Sequence, residues 1–256
     1  MELDEALKRL KEMSDPRIIE SHARFKDMGK NKLGVATPDT RKLAKEIGKD
    51  HRLALDLWKT NVHEARVLAT MIDDPGQVTE EQMEKWAREL DSWGICDHAC
   101  GNLFDKTSFA YRKAAEWTKR EREYEKRAGF SLIAYLAVHD KKADDKKFLL
   151  FLPIIKREAH DDRNFVKNAV NWALREIGKR NARLNKEAIK TAKETRLMKE
   201  KSARWIAAGA IRELESDAVQ KRLKNIANRK RLHERAEDYA YNEISAGLKR
   251  GSRRQR

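Results

Sequence analysis

The stretch Asp91-Ser92-Trp93-Gly94-Ile95-Cys96-Asp97-His98-Ala99-Cys100-Gly101-Asn102-Leu103-Phe104 decides how the rest of the chain is read. It has the form of a short helix capped by Asp91 or Ser92, either of which can accept an orphaned N–H of the first turn. Trp93 and Asp97 are four residues apart, so an indole and a carboxylate share one helix face. Ala99 of the same helix has counterparts on four others. They are Ala65 in His63-Glu64-Ala65-Arg66-Val67-Leu68, Ala128 in Lys126-Arg127-Ala128-Gly129-Phe130, Ala169 in Lys167-Asn168-Ala169-Val170-Asn171-Trp172 and Ala203 in Lys201-Ser202-Ala203-Arg204-Trp205-Ile206. Successive alanines are separated by 34, 29, 41 and 34 residues. That is the recurrence of a two-helix repeat, degenerate in length, of the kind that stacks into an α-solenoid, with the small alanines letting neighbouring helices approach closely. Ordinary amphipathic helices are the plainer alternative.

In such a solenoid the second helices of successive repeats line the inner wall. Asp97, Arg127 and Trp172 then occupy comparable places on consecutive inner helices and can meet in one concave groove. The remaining sequence agrees with an all-α fold. Four prolines and eleven glycines leave few interruptions, and apolar residues recur at three and four rather than at two. Helices are expected over Leu3 to Met13, from Asp15-Pro16 onward, and from Thr37-Pro38, with the threonine as cap and the proline in the first turn. Others are expected over Leu53 to Lys59, Glu64 to Ile72, after the capping box Thr79-Glu80-Glu81-Gln82, and over Ala110 to Thr118. The series continues with Glu121 to Val138, Lys147 to Glu158, Asn164 to Ile177, Asn185 to Thr195, Ser202 to Leu214 and a charged segment from Asp217 to Ile244. Residues 1–244 thus read as one helical repeat domain and 245–256 as a basic, flexible tail.

At 256 residues the chain can bury a substantial core without staples. Lys and Arg number 57 against 42 Asp and Glu, a formal net charge of +15, and the pI near 9.7 favours phosphate backbones or anionic membranes as partners. Many of these charges are solvated helix faces with opposite-sign neighbours such as Lys85 and Glu89. The only cysteines, Cys96 and Cys100, give no disulfide framework, so a reducing compartment is expected. Met1-Glu2-Leu3-Asp4-Glu5 is not a signal peptide, and no apolar run approaches the roughly 18 residues of a membrane span. A cytoplasmic monomer without membrane, metal or cofactor is the expectation.

Asp97 is the leading candidate for chemistry, against the plain alternative of a salt-bridged helical aspartate. Trp93 one turn before it and Lys126-Arg127 on the next inner helix favour function. Trp58, Trp86 and Trp117 fit core packing, whereas Trp172 lies on a helix that mixes aromatic and basic groups. Arg127 and Lys167 can each contact phosphate or form a surface ion pair; phosphate is preferred for Arg127. Cys96, His98 and Cys100 invite a metal reading, but His98 lies about 200° around the helix from Cys96. No second ligand pair follows, so two buried thiols are expected instead.

At these residues the sequence resembles the AlkD-type alkylpurine DNA glycosylases, the DNA alkylation repair family built from HEAT-like repeats. Leu33-Gly34-Val35-Ala36-Thr37-Pro38-Asp39-Thr40-Arg41 is similar to that family's early turn, Ser92-Trp93 to Asp97 to its tryptophan and catalytic aspartate, and Lys126-Arg127-Ala128 to its groove arginine. Phe165 through Trp172-Ala173-Leu174-Arg175-Glu176 is similar to its second tryptophan helix, and the likeness covers roughly residues 20–215. It implies a monofunctional glycosylase that removes cationic N3- or N7-alkylated purines from duplex DNA without turning the base into a pocket. Trp93 and Trp172 would flank the deoxyribose, Asp97 would face the anomeric carbon, and Arg127, Phe25, Phe165 and Lys167 would contact DNA. Phe25 departs from the family, which has a tyrosine there. The segment from Asp217 and the tail lie beyond the likeness. A noncatalytic DNA-binding or damage-sensing solenoid and a protein-binding scaffold are the competing functions.

Overall fold

The computed structural model describes residues 1–24, 29–229 and 231–232, so Phe25, the segment from residue 233 and the tail 245–256 lie outside the described residues. Fourteen helices follow in order: α1 Leu3–Glu12, α2 Pro16–Arg24, α3 Thr37–Ile47, α4 His51–Lys59, α5 His63–Ile72, α6 Glu80–Arg88, α7 Trp93–Asn102, α8 Ala110–Trp117, α9 Glu123–His139, α10 Asp145–Leu149, α11 Phe151–Glu158, α12 Asn164–Gly178, α13 Ala182–Arg196 and α14 Lys201–Leu214. A further helix, α15, runs over residues 217–229. There is no strand among the described residues. None of these helices is long and apolar enough to cross a membrane.

The alanine recurrence marks a continuous row. Helix α3 packs on α5, α5 on α7, α7 on α9, α9 on α12 and α12 on α14, while α4, α8 and α13 back α5, α9 and α14. Ala65, Ala99, Ala128, Ala169 and Ala203 are all buried where these helices meet. Helix α9, at 17 residues the longest of those described from end to end, lies between α7 and α12 and is the centre of the row. On the backing side the rings of Trp58, Trp86, Phe104 and Trp117 form an aromatic spine. Trp58 and Trp86 stack at 3.9 Å, Trp86 and Phe104 stand 6.3 Å apart, and Phe104 meets Trp117 edge-on at 5.8 Å. The three tryptophans assigned to packing are therefore packing residues.

Local capping follows the sequence with two differences. Ser92 caps α7 by accepting the Ile95 N–H at 3.2 Å, and Thr79 caps α6 by accepting that of Gln82 at 3.1 Å. Thr37 is not a cap: it is the first residue of α3, and extended Ala36 precedes it, its carbonyl accepting the N–H groups of Asp39 and Thr40. The helix expected over Lys147 to Glu158 is two, broken at Leu150. Pro153 has no N–H to offer Leu149 and its ring crowds that carbonyl, so a continuous helix cannot pass through; the proline instead sits in the first turn of α11.

Candidate functional site

Asp97 lies at the middle of α7, where α7 crosses α9, and α9 supplies its partners. The Arg127 guanidinium grips both carboxylate oxygens, Nε donating to Oδ1 at 3.1 Å and Nη2 to Oδ2 at 2.7 Å. Ser131, one turn further along α9, donates its hydroxyl to Oδ1 at 2.9 Å. The third guanidinium nitrogen of Arg127 donates to the Phe165 carbonyl at 2.8 Å, tying α12 into the same cluster. Only 7% of the Arg127 side chain is exposed against 19% of Asp97, so the carboxylate, not the guanidinium, meets solvent. Burial alone would lower the pKa of Arg127; the adjacent Asp97 charge outweighs it and holds the guanidinium above its usual value.

Trp93 and Asp97 do share a face of α7, and the Arg127 guanidinium stands 5.9 Å from the Trp93 ring centroid. Both residues line a cavity of about 280 Å³ with Thr37, Glu64, His98 and Tyr135. One wall is the turn before α3, where the buried Glu64 carboxylate accepts the N–H groups of Leu33 and Gly34, both at 2.8 Å, and of Val35 at 3.3 Å. Gly34 has φ +81°, and a Cβ there would stand 2.4 Å from the Asp15 carbonyl oxygen, so only glycine fits this turn. The opposite wall is Tyr135, whose ring lies so close to α7 that a Cβ on Gly101 would be 2.4 Å from it. Trp172 meets the other side of that ring edge-on at 4.9 Å, and its indole N–H donates to Glu176 at 3.2 Å. Burial, with the Asp97 charge second, raises the pKa of the Tyr135 phenol and keeps it neutral.

The structure thus places Trp93, Asp97 and Arg127 in direct association and brings Trp172 to them through Tyr135. Phe165 contributes its carbonyl to Arg127 and its ring to Tyr124 at 5.7 Å. Lys167 is outside this cluster, with its ammonium 5.0 Å from the ring of the half-exposed Trp205. Lys126 is buried against Glu158 and Asp161, at 2.7 and 3.0 Å. The thiols of Cys96 and Cys100 are buried on the other side of α7 and donate to the Tyr124 and Ala128 carbonyls; burial pushes the Cys100 thiol well above its usual pKa. Sequence reasoning passes over Ser131 and Tyr135. Their signal is their spacing, since Arg127, Ser131 and Tyr135 recur every four residues along one face of α9.

Comparison with known proteins places this arrangement. A solved structure described as belonging to a new family of proteins related to the HEAT-like repeat DNA glycosylases, with affinity for branched DNA structures, matches with a TM-score of 0.71. The sequence identity is 21%, and the match covers 83% of this chain and 95% of that one. At that identity the likeness is one of fold. The uncharacterized protein Lin0241 of Listeria innocua serovar 6a is 24% identical over 136 residues, which is 52% of this chain and 60% of that protein. The chain therefore spans about 60% of the length of that curated relative. The model of the DNA alkylation repair enzyme family matches residues 6–214, from α1 to the last residue of α14, and the chain belongs to that family.

Proposed function

We propose that the protein hydrolyses the N-glycosidic bond of cationic N3- or N7-alkylated purines in duplex DNA, with Asp97 acting on the sugar. The observation that carries this reading is the coordination of Asp97. A carboxylate offers about four acceptor positions. Arg127 and Ser131 fill three of them, and the remaining one is on Oδ2, in a group that borders the cavity beside Trp93 and Tyr135. That fixed, one-sided carboxylate suits a reaction in which positive charge develops next to it.

An alkylated purine carrying a positive charge is already a good leaving group. As the bond to C1′ breaks, the electron pair leaves with the base, which departs neutral, and the sugar becomes an oxocarbenium-like cation. Asp97 would stabilise that cation, and its open Oδ2 position would accept a hydrogen bond from the water that adds to C1′. At about 4 Å and an effective dielectric near 20, a carboxylate attracts such a cation by about 4 kcal/mol; a guanidinium twice as far away offsets about half. The bidentate Arg127 therefore weakens the field but fixes its direction, which is the preorganisation that electrostatic catalysis needs. Trp93 and Trp172 would hold the sugar by their faces. The cavity, at about 280 Å³, lies at the lower end of the roughly 300–1,000 Å³ range of small-molecule sites, room enough for a sugar. Arg127, Phe165, Lys167 and Phe25 would contact the backbone, Arg127 by exchanging part of its hold on Asp97 and Phe165 for a phosphate.

A second reading is DNA binding without chemistry, favoured by the same ion pair, because Arg127 already compensates the Asp97 charge. Incubating the protein with N7-methylated duplex DNA separates the two. Free 7-methylguanine and abasic sites are expected from the native protein, and neither from Asp97→Asn at unchanged DNA affinity. Binding without any released base by the native protein would leave the second reading standing.

A further inference from the structure

A second cavity, larger than the one at Asp97, lies at the far ends of α9 and α12. It has a volume of about 1190 Å³, and Lys141, Arg180, Arg183, Arg222 and Arg229 line it. Its outer wall is α15, which follows the residues that match the family. Val219 and Leu223 bury α15 against the body, and Gln220 anchors it by donating to Asn185 Oδ1 at 3.1 Å and the Leu214 carbonyl at 2.6 Å. The outer wall is thus an addition to the matched repeats.

The charges in this cavity do not cancel. Its three carboxylates are outnumbered by its cations: Glu176 takes Lys179 at 2.6 Å and the Trp172 indole, while Asp145 and Asp144 keep their charge, accepting from the neutral Asn181 amide and the Lys146 backbone N–H, both at 2.8 Å. Lys179 is shared between Glu176 and Glu213. Arg180 hydrogen-bonds only to neutral groups, the carbonyls of Ala137 and Ala143, and stands 4.0 Å from the ring of Phe148, with the charges of Asp145 and Asp140 near it but not paired; its Nε is buried with no acceptor among the described residues. No carboxylate among the described residues lies within ion-pair distance of Lys141, Arg183, Arg222 or Arg229. Burial and then the charges of Arg180 and Arg222 hold the Lys141 ammonium below its ordinary pKa. Lys141 thus lies in the repulsive field of Arg180 and Arg222, and a lining of six cations against three carboxylates leaves a positive surplus that a bound anion offsets.

Size selects the anion. The volume exceeds the roughly 300–1,000 Å³ of small-molecule sites, so a single phosphate would leave most of it empty, whereas a length of polymer backbone would not. Glu176 lines this cavity and holds the indole of Trp172, and Ala137 on its wall is two residues beyond Tyr135. The two cavities thus flank the same turn of α9, on faces of that helix about 200° apart.

We propose that the cavity walled by α9, α12, α13 and α15 is a phosphodiester-binding subsite that grips the nucleic-acid backbone away from Asp97. It rests on the DNA-binding part of the reading above and not on base removal. The test is binding of undamaged duplex DNA, measured by fluorescence anisotropy over a range of salt, by Lys141→Glu/Arg222→Glu and by a control of equal charge change, Lys85→Glu/Lys119→Glu. All four side chains are exposed, so folding is retained. The cavity variant is expected to bind about tenfold or more weaker near 0.15 M salt, with a log–log salt slope shallower by about 2, one phosphate per cation; the control keeps its slope. Equal losses in both variants would overturn the proposal, since net charge would then account for them. Inorganic phosphate added at constant ionic strength is expected not to displace the duplex; displacement at millimolar phosphate would assign the cavity to a free small anion and overturn the polymer reading. A protein that releases no base yet loses DNA affinity in the cavity variant refutes the enzymatic reading and leaves this one intact.

Discussion

Trp58, Trp117 and Trp93 each lie beside a guanidinium, with Arg66, Arg120 and Arg127 at 5.0, 5.5 and 5.9 Å from the ring centroids. Each also has a carboxylate at hand. In the aromatic spine the carboxylates serve the indoles: Trp58 donates to Glu89 at 2.7 Å and Trp117 to Glu84 at 3.0 Å. Glu84 further receives Arg120 at 2.5 Å and Lys113 at 2.7 Å, while Arg88 at 3.8 Å is near enough for an ion pair but not for a hydrogen bond, so three of its acceptor positions are taken and three cations surround it. Asp97 also has three taken. Exposure does not separate the two, at 16% for Glu84 and 19% for Asp97. The difference is charge and access: three cations surround Glu84 against the single Arg127 at Asp97, and Asp97 borders the cavity beside Trp93. The same three kinds of side chain make a strut where the carboxylate is ringed by cations and a candidate site where it borders a cavity.

The sharpest way to break this comparison is to exchange the carboxylates for amides. Asp97→Asn is expected to lower base release from methylated duplex by about 10²–10³-fold or more, with DNA affinity within about threefold. The amide oxygen can still accept from Arg127, but the buried guanidinium loses its counter-charge, so the melting temperature also falls. Glu84→Gln should leave release per folded molecule unchanged. Next in size is the spine itself. Trp86→Ala removes a fully buried ring stacked on Trp58 and is expected to cost about 3–5 kcal/mol in denaturant unfolding. Trp93→Ala, at a half-buried ring, should cost much less stability and far more activity. Equal effects of the two tryptophans on either measurement would erase the distinction between strut and site.

A smaller effect sharpens the cavity wall. Gly101→Ala would drive its Cβ into the Tyr135 ring, and overpacking of this kind costs about 1–3 kcal/mol. Release should fall with it, because the ring that separates Trp172 from Asp97 must move. Tyr135→Phe keeps the ring, and no group among the described residues accepts from its hydroxyl. Stability should change by no more than about 0.5 kcal/mol, so any loss of release then reports a contact between that hydroxyl and substrate.

The sequence carries the repeat clearly because a buried alanine is forced wherever two helix backbones approach, and Ala65 through Ala203 recur at each of those approaches. It also carries the pairing of Trp93 with Asp97, which is a matter of helical period alone. Arg127 is legible as an inner-row cation, but its bidentate hold on Asp97 depends on the register between α7 and α9, which no local pattern encodes. Ser131 and Tyr135 follow from Arg127 by the same period once that face of α9 is known to look at Asp97. The basic cavity was out of reach for a different reason: its walls come from chain segments between residues 137 and 229 that meet only when α15 docks. The break at Leu150 was readable from Pro153, and Thr37 shows that a capping residue type does not by itself fix the first helical residue.

The smallest expected effect concerns acid. Burial would raise the pKa of Glu84, but hydrogen bonds from Lys113, Trp117 and Arg120 outweigh it and pull the carboxyl from 4.5 down to about 2. Glu80, held by Arg112 and Lys113, is likewise lowered to about 2. A carboxylate whose pKa is depressed by folding contributes stability that is complete above its unfolded value and is lost as pH falls toward the folded one. The contribution of the spine network is therefore present above about pH 4.5 and disappears between there and about pH 2. Thermal melts from pH 7 to 2.5 should be flat at first and then decline through that window. Glu84→Gln should melt lower at pH 7 and lose less on acidification, so that the two curves converge toward pH 2.5. Parallel curves would mean that the Glu84 cluster is not what links folding to protons, and the contrast between a carboxylate ringed by cations at the spine and one that borders the cavity would lose its energetic basis.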